Sequence, residues 1–326
     1  MRLATVLATA ATLSACIAHD PPGSDAAVLA EAHALIDARY ALFGDKQVDW
    51  AGALTRAEDR LFVRGDPLEP VLIGMLDELE DGHVNLETPT QVSWATAFLE
   101  DRVPTWNEDL VQRHVLGFDF RRQGTLMWAE PRPPERPWGY LRVDSLSSLP
   151  SPTTLDAVFA SMAEAPGLIL DLRSNGGGRL ERAGQLLGRF LGEPLDAWHL
   201  QVSTGPAHSD LSAPVPRPVS PAEPGYDGPL AVLVDGRTYS AAHLVAVVLE
   251  ARPGTGIVGA ETGGGAGSPT WHELANGWGL RFPTIRLTGP EQEAIEVGLP
   301  VQVPAEPDPT RPEADAMIEA AAGWLP

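Results

Sequence analysis

The segment "VDGRTYS", Val234 to Ser240, joins the apolar run "LAVLV" to "AAHLVAVVLEA", so a strand must end and a helix begin at a serine. A serine at that junction has two uses. As an N-cap, its hydroxyl accepts a hydrogen bond from a free backbone N–H of the first helical turn. As a nucleophile it gains from the same place, because the helix N-terminus stabilises the negative charge that develops when a hydroxyl attacks a carbonyl. A second turn bears on the choice. "DLRSNGGG", Asp171 to Gly178, closes another apolar run with three consecutive glycines. Their freedom at positive φ lets backbone N–H groups face a bound oxyanion. No lysine follows them, which speaks against a phosphate-binding P-loop. A serine hydroxyl is a weak nucleophile at neutral pH and still needs a base within hydrogen-bond reach. The chain offers 8 histidines and a single lysine, Lys46.

These turns need a scaffold, and the flanking sequence describes one. Beyond Pro137, "GYLRVDSL" is followed by "TTLDAVFASMAEA", "GLILDLR" by "ERAGQLLGRFL" and "LAVLVDG" by "SAAHLVAVVLEA", with "GIVGA" and the alternating "GLRFPTIRL" after them. Short apolar runs alternating with helical periods predict crossover connections, hence an α/β core with a mostly parallel sheet covered by helices. Ligands in such sheets bind where strands end and loops lead into helices, which is where Ser240 and the Gly176–Gly178 run fall. Upstream, "DAAVLAEAHALIDARYALF" and "EPVLIGMLDELEDGH" repeat apolar residues at three- and four-residue intervals and predict a small helical subdomain over residues 26–90. Residues 91–137, with weak strand signals and the Pro-rich "PRPPERPW", read as a connecting segment before a core over 138–326.

The N-terminal "MRLATVLATAATLSACIAHDPPGSD" has one positive charge, a short apolar run and small residues, and reads as a signal peptide over 1–15 and a tether over 16–25. Leu13-Ser14-Ala15-Cys16 resembles the lipobox of bacterial lipoproteins. It implies acylation of Cys16 and anchoring in the bacterial cell envelope, facing the periplasm or the exterior. No later segment approaches the roughly 20 apolar residues of a membrane-spanning helix. Cys16 is also the only cysteine, so no intrachain disulfide or cysteine-based metal cage can form, and no metal or cofactor is expected. A net charge of -21 argues against binding nucleic acid or anionic lipid through charge.

"LDELEDGHVNL", "GLILDLRSNGGG", "PLAVLVDGRTYSAAH" and "IVGAETGGGA", in that order, resemble the tail-specific, or C-terminal processing, serine peptidases. The resemblance is to the branch that includes the tricorn core and the repeats of interphotoreceptor retinoid-binding protein, and it covers residues 26 to 325. It implies a crotonase-like (ClpP-like) fold with Ser240 as the acylating nucleophile. Many members activate that serine with a lysine after the next strand. The matching position, around Gly265 in "ETGGGAG", holds none, and Lys46 falls in a loop expected to be exposed. The tricorn-like branch instead draws a histidine from the N-terminal region, matched here by His83 in "DGHVN". Its orienting carboxylate is a late glutamate, matched by Glu293 or Glu296, with Glu296 the better fit. The oxyanion hole falls to the backbone N–H groups of Gly176 or Gly177 and of Ala241.

The chain departs from that pattern in places. His243 stands where the family has a glutamate, one helical turn beyond Ser240, and is an alternative base. No PDZ-like stretch precedes the core, so the resemblance implies no preference for C-terminal tails. The function expected is an exported serine endopeptidase that cleaves protein or peptide substrates through an acyl-enzyme on Ser240. The alternative, motivated by His243, is a non-catalytic module binding lipid or peptide on the same fold. An acyl-CoA enzyme of that fold is disfavoured by the export signal.

Overall fold

The structure is a computed structural model and describes residues 21, 23–94, 98, 102–117 and 119–326. The signal-peptide reading and Cys16 lie outside the described residues. Helices α1 (Asp25–Arg39), α2 (Trp50–Glu58) and α3 (Leu68–Asp77) come first, followed by the short strands β1 (Asn85–Glu87) and β2 (Val92–Trp94). Next come β3 (Arg121–Gln123), β4 (Leu126–Ala129) and β5 (Gly139–Val143), then α4 (Pro152–Met162), β6 (Leu168–Asp171) and α5 (Leu180–Leu187). After β7 (Leu195–Val202) and β8 (Val215–Val219), the chain runs through β9 (Leu230–Val234), α6 (Ala241–Glu250) and β10 (Thr255–Gly259). It ends with β11 (Gly267–Glu273), β12 (Gly279–Thr288), β13 (Val303–Pro304) and α7 (Ala316–Trp324).

Among the described residues these strands form two sheets. The larger runs β13-β10-β9-β6-β5-β4-β3, parallel from β13 to β5 and antiparallel beyond it. Its central strands are buried along their whole length, as strands covered on both faces must be, which explains the apolar runs Leu168–Leu170 and Leu230–Val234. Successive residues point to opposite faces. Leu168, Leu170, Val232 and Val234 enter the core shared with α4, α5 and α6, whereas Ile169, Ala231 and Leu233 enter the one covered by α7. Helices α4 and α7 begin where the sequence offers a start signal. Ser151 accepts from Thr154 N and is followed by Pro152 at α4, and Asp315 accepts from Ile318 N at α7.

The second sheet, β2-β1-β12-β7-β8 with β11 on β12, is antiparallel. The sequence reading foresaw only its strand β12, from the alternation in "GLRFPTIRL". Leu280 and Phe282 of β12 pack into the core formed by α1, α2 and α3, so this sheet carries the helical subdomain. The segment 91–137, read as a connection, in fact supplies β2 to that sheet and β3 and β4 to the edge of the larger one.

Candidate active site

Strand β9 ends in a buried carboxylate that fixes both glycine-bearing turns. Asp235 accepts from Ser174 N at 2.8 Å and from Arg237 N at 3.0 Å. Thr238 Oγ1 donates to Leu172 O at 2.9 Å, and Tyr239 N to Asn175 O at 3.0 Å. The loops after β6 and β9 are thereby held edge to edge. At the junction Ser240 takes φ 57° and ψ -127°, a conformation that costs a side-chain-bearing residue about 1–3 kcal/mol. Its hydroxyl makes no capping bond to α6. Instead Ser240 Oγ lies 2.9 Å from His83 Nε2, 157 residues away in sequence. The ordinary use of a serine at a helix start is not realised here.

His83 is buried, and its ring is held from behind. Nδ1 lies 3.1 Å from Tyr239 Oη and 3.5 Å from Asp81 Oδ1. Tyr239 Oη donates to Asp81 Oδ1 at 3.0 Å, and Tyr40 Oη donates to Asp81 Oδ2 at 2.8 Å. Asp81 Oδ1 also accepts His83 N at 2.8 Å, closing a turn over Gly82. This network assigns the tautomer: with hydrogen on Nδ1, donating toward Tyr239 and Asp81, the lone pair on Nε2 faces the serine hydroxyl. Burial alone would raise the Asp81 carboxyl. The hydrogen bond from His83 and the charges of His83 and Lys46 nonetheless hold it well below the usual carboxylate range. Burial, reinforced by the Asp81 charge, pushes Tyr239 upward, so it stays a hydroxyl. Arg281 Nη1 donates to His83 O at 3.2 Å and to Asn85 Oδ1 at 2.8 Å, which fixes the backbone under the ring.

A cleft of about 440 Å³ opens over this pair, lined by His83, Gly176, Gly177, Ser240, Gly267 and Arg281 among others. The predicted oxyanion donors fall beside the serine but are not equivalent. Gly177 N already donates to Asn175 Oδ1 at 2.9 Å. The amides of Gly176 and Ala241 carry no hydrogen bond among the described residues. Gly177 must be glycine for another reason. At φ +92° its backbone lies so close to the Ser240 turn that a Cβ would sit 2.7 Å from Ala241 N and 2.8 Å from Ser240 Cβ.

Other residues singled out from sequence are placed elsewhere. Glu296 does not reach the imidazole; its carboxylate pairs with Lys46 Nζ at 2.8 Å and accepts Ala266 N at 2.7 Å. Burial and the nearby Asp81 charge raise the Glu296 carboxyl, and Lys46 opposes this. Glu293 is exposed and accepts Glu291 N at 2.8 Å within its own turn. The carboxylate beside His83 is therefore Asp81, which the sequence reading passed over. A signal was available in "DGH", because an aspartate two residues ahead of an N–H that its own side chain can accept makes an Asx-turn. Lys46, expected in an exposed loop, has a side chain only 15% exposed and also donates to Glu80 O at 3.0 Å. His243 faces away from Ser240, with Nδ1 2.8 Å from Thr262 Oγ1 and Nε2 2.8 Å from Ile295 O. Burial lowers it to about 4, so it is a neutral structural histidine. At Gly265, where relatives would carry a lysine, a Cβ would sit 2.3 Å from the Tyr239 ring. The tyrosine that backs the histidine occupies the room a lysine would need.

Known structures share this architecture. A candidate peptidase from Parabacteroides merdae ATCC 43184 is 29% identical, with 93% of this chain and 96% of that chain covered and a TM-score of 0.82. Mature CPAF complexed with lactacystin is 13% identical over 92% of this chain and 97% of that one, with a TM-score of 0.69. The photosystem II D1 C-terminal processing protease is 15% identical over 93% and 97%, with a TM-score of 0.51. At such identities the last two establish the fold alone. No curated protein matches the chain in sequence. The sequence model of peptidase family S41 matches residues 137–304, a span that holds Ser240 and both glycine turns. The chain belongs to peptidase family S41 and is a serine peptidase.

Proposed function

We propose that the protein is an exported endopeptidase in which Ser240 is the nucleophile and His83 the general base, with Tyr239 and Asp81 orienting the imidazole. One observation carries this reading. A serine in a strained conformation at a helix N-terminus spends its hydroxyl on a buried histidine 2.9 Å away rather than on the helix. In the reaction, Oγ attacks the peptide carbonyl carbon as its proton passes to Nε2. The oxyanion receives the amides of Gly176 and Ala241. Asp81, reached through Tyr239 and directly from Nδ1, stabilises the imidazolium, which then protonates the leaving amine. A water, deprotonated by the same nitrogen, releases the acyl group and restores the serine. His243 motivated a non-catalytic reading; its burial against Thr262 and Ile295 removes that motive.

The test is labelling by a fluorophosphonate together with hydrolysis of a casein digest, in wild type and Ser240→Ala. Both activities are expected in wild type and neither in the variant. Full activity in Ser240→Ala would sink the assignment. The run ending Leu13-Ser14-Ala15-Cys16 supports anchoring through acylated Cys16, with the peptidase facing the periplasm or exterior. Cys16→Ser should release the protein from membranes, and unchanged partition and mass would refute the anchor.

A further inference from the structure

A larger cavity, about 660 Å³, lies beside the catalytic cleft between α5 and strands β7 and β8. Leu180, at the start of α5 just beyond the glycine turn, lines both cavities. So does the pair beneath it: Leu287 of β12 lines the cleft, Leu200 of β7 lines the larger cavity, and the two are cross-strand partners. The two spaces thus adjoin at Leu180 and at the Leu287–Leu200 pair. Trp198, Val219 and Gly184 make the walls of the larger one. Trp198 is buried, yet its indole Nε1 has no hydrogen-bond partner among the described residues. Buried donors of that kind normally find an acceptor.

We propose that this groove is an extended substrate subsite that takes aliphatic or aromatic side chains of a polypeptide at positions removed from the scissile bond. The proposal rests on the peptidase reading of the adjoining cleft. Its lining is apolar at Leu180, Trp198, Leu200 and Val219, so it rewards burial of an apolar side chain. Its place against the cleft that holds Ser240, with Leu180 lining both, singles out the substrate chain as occupant. A second copy pairing at the open edge of β8 is disfavoured, because Pro216 and Pro218 leave that five-residue strand short of N–H donors. The groove gives the enzyme a means of choosing substrates by a hydrophobic segment rather than by a chain end.

Gly184 makes the test clean. A Cβ there would meet Trp198 at 3.5 Å and Val219 at 3.6 Å, ordinary contacts, so Gly184→Ala should be silent while Gly184→Leu projects into the groove. Ser220→Trp, on the exposed rim, plugs the same space without touching the core. The probes are internally quenched peptides of Gly, Ser and Ala around a cleavage site mapped by mass spectrometry, with one Leu walked outward position by position. In wild type, kcat/KM is expected to peak at the positions whose Leu reaches the groove, about 10- to 100-fold above the Leu-free peptide. Gly184→Leu and Ser220→Trp should flatten that peak, leaving fluorophosphonate labelling and cleavage of the Leu-free peptide unchanged. A flat wild-type profile, or a peak that survives in both plugged variants, overturns the subsite. A plugged variant that changes oligomeric state but keeps the profile makes the groove an interface between copies and also overturns it. Wild type that neither labels nor hydrolyses overturns the peptidase reading itself, a result distinct from the others.

Discussion

Asp81→Asn and Glu296→Gln separate the two carboxylates that compete for the orienting role. When His83 takes the serine proton it becomes an imidazolium whose Nδ1 lies 3.5 Å from Asp81 Oδ1. In an effective dielectric of about 20, an ion pair at that spacing is worth about 5 kcal/mol. The pairing exists only once the proton has moved, so losing it raises the barrier without weakening substrate binding. About 1.4 kcal/mol per decade then converts the loss to about 10³-fold in kcat with KM little changed. Asparagine adds to the cost. Its oxygen can replace only one of the two carboxylate oxygens that accept from Tyr239, Tyr40 and His83 N. Glu296→Gln removes no contact to the ring. It leaves Lys46 without its counter-charge in a mostly buried site, which should cost about 3–5 kcal/mol of stability but less than about 10-fold in kcat of the folded enzyme. The assay is kcat and KM on one fluorogenic peptide, with thermal unfolding of each variant alongside. If Glu296→Gln fell by about 10³ while Asp81→Asn stayed within 10-fold, the assignment of Asp81 would be wrong.

Ser240→Gly should be inactive yet more stable than Ser240→Ala by about 1–3 kcal/mol in urea titrations, because only glycine is at ease at φ 57° and ψ -127°; equal stabilities would show that the turn is unstrained. Gly177→Val should cut kcat by about 10²–10³, since its Cβ must displace Ala241 N, the proposed oxyanion donor, and kinetics near wild type would remove that amide from the mechanism. His243 is lowered to about 4 by burial, against about 6.5 unfolded, so below pH 6.5 the unfolded chain binds a proton that the folded one refuses. Stability should therefore fall by about 3 kcal/mol between pH 6.5 and 4 and then level off for this group, and His243→Gln should flatten that slope in urea titrations at several pH values.

The parallel core was legible because burial on both faces leaves a strong mark: Leu168–Leu170 of β6 and all of β9 are apolar, and helical periods follow each. Ser240 and the glycine run were legible for a related reason, as both terminate such strands. The second sheet was not, because β1 and β2 are three residues each, pair with each other as a short hairpin, and join a sheet only where β1 meets β12, nearly 200 residues downstream. The histidine's backing was missed for the same cause. Asp81 and Tyr239 are unremarkable locally, and their roles arise only when Tyr239 Oη meets Asp81 across 158 residues. Lys46 was misread because "GDKQ" is polar in isolation, whereas in the fold Glu296 and the carbonyl of Glu80 enclose its ammonium.

That enclosure bears on how the site is held together. The proposed base and nucleophile belong to different cores: His83 follows α3 in the helical subdomain, and Ser240 opens α6 in the main one. A hydrogen bond of 2.9 Å between them survives only if the two bodies keep register to a fraction of an ångström. Strand β12 supplies one tie, pairing with β1 immediately past His83 while Arg281 grips the histidine's carbonyl. Arg286, further along β12, bonds Asp45 through two nitrogens at 2.6 and 2.7 Å, next to Lys46. Lys46 itself spans the gap, holding Glu80 beside Asp81 on one side and Glu296 on the other. Through its backbone oxygen, Glu296 accepts Gly265 N, and the neighbouring Gly264 O accepts Ser240 N at 2.9 Å. A lysine placed after β10 would act on the serine from within its own core and need no such alignment. Here Tyr239 fills that space, the proposed base His83 comes from the other core, and the chain's single lysine ties the loops that carry His83 and Ser240.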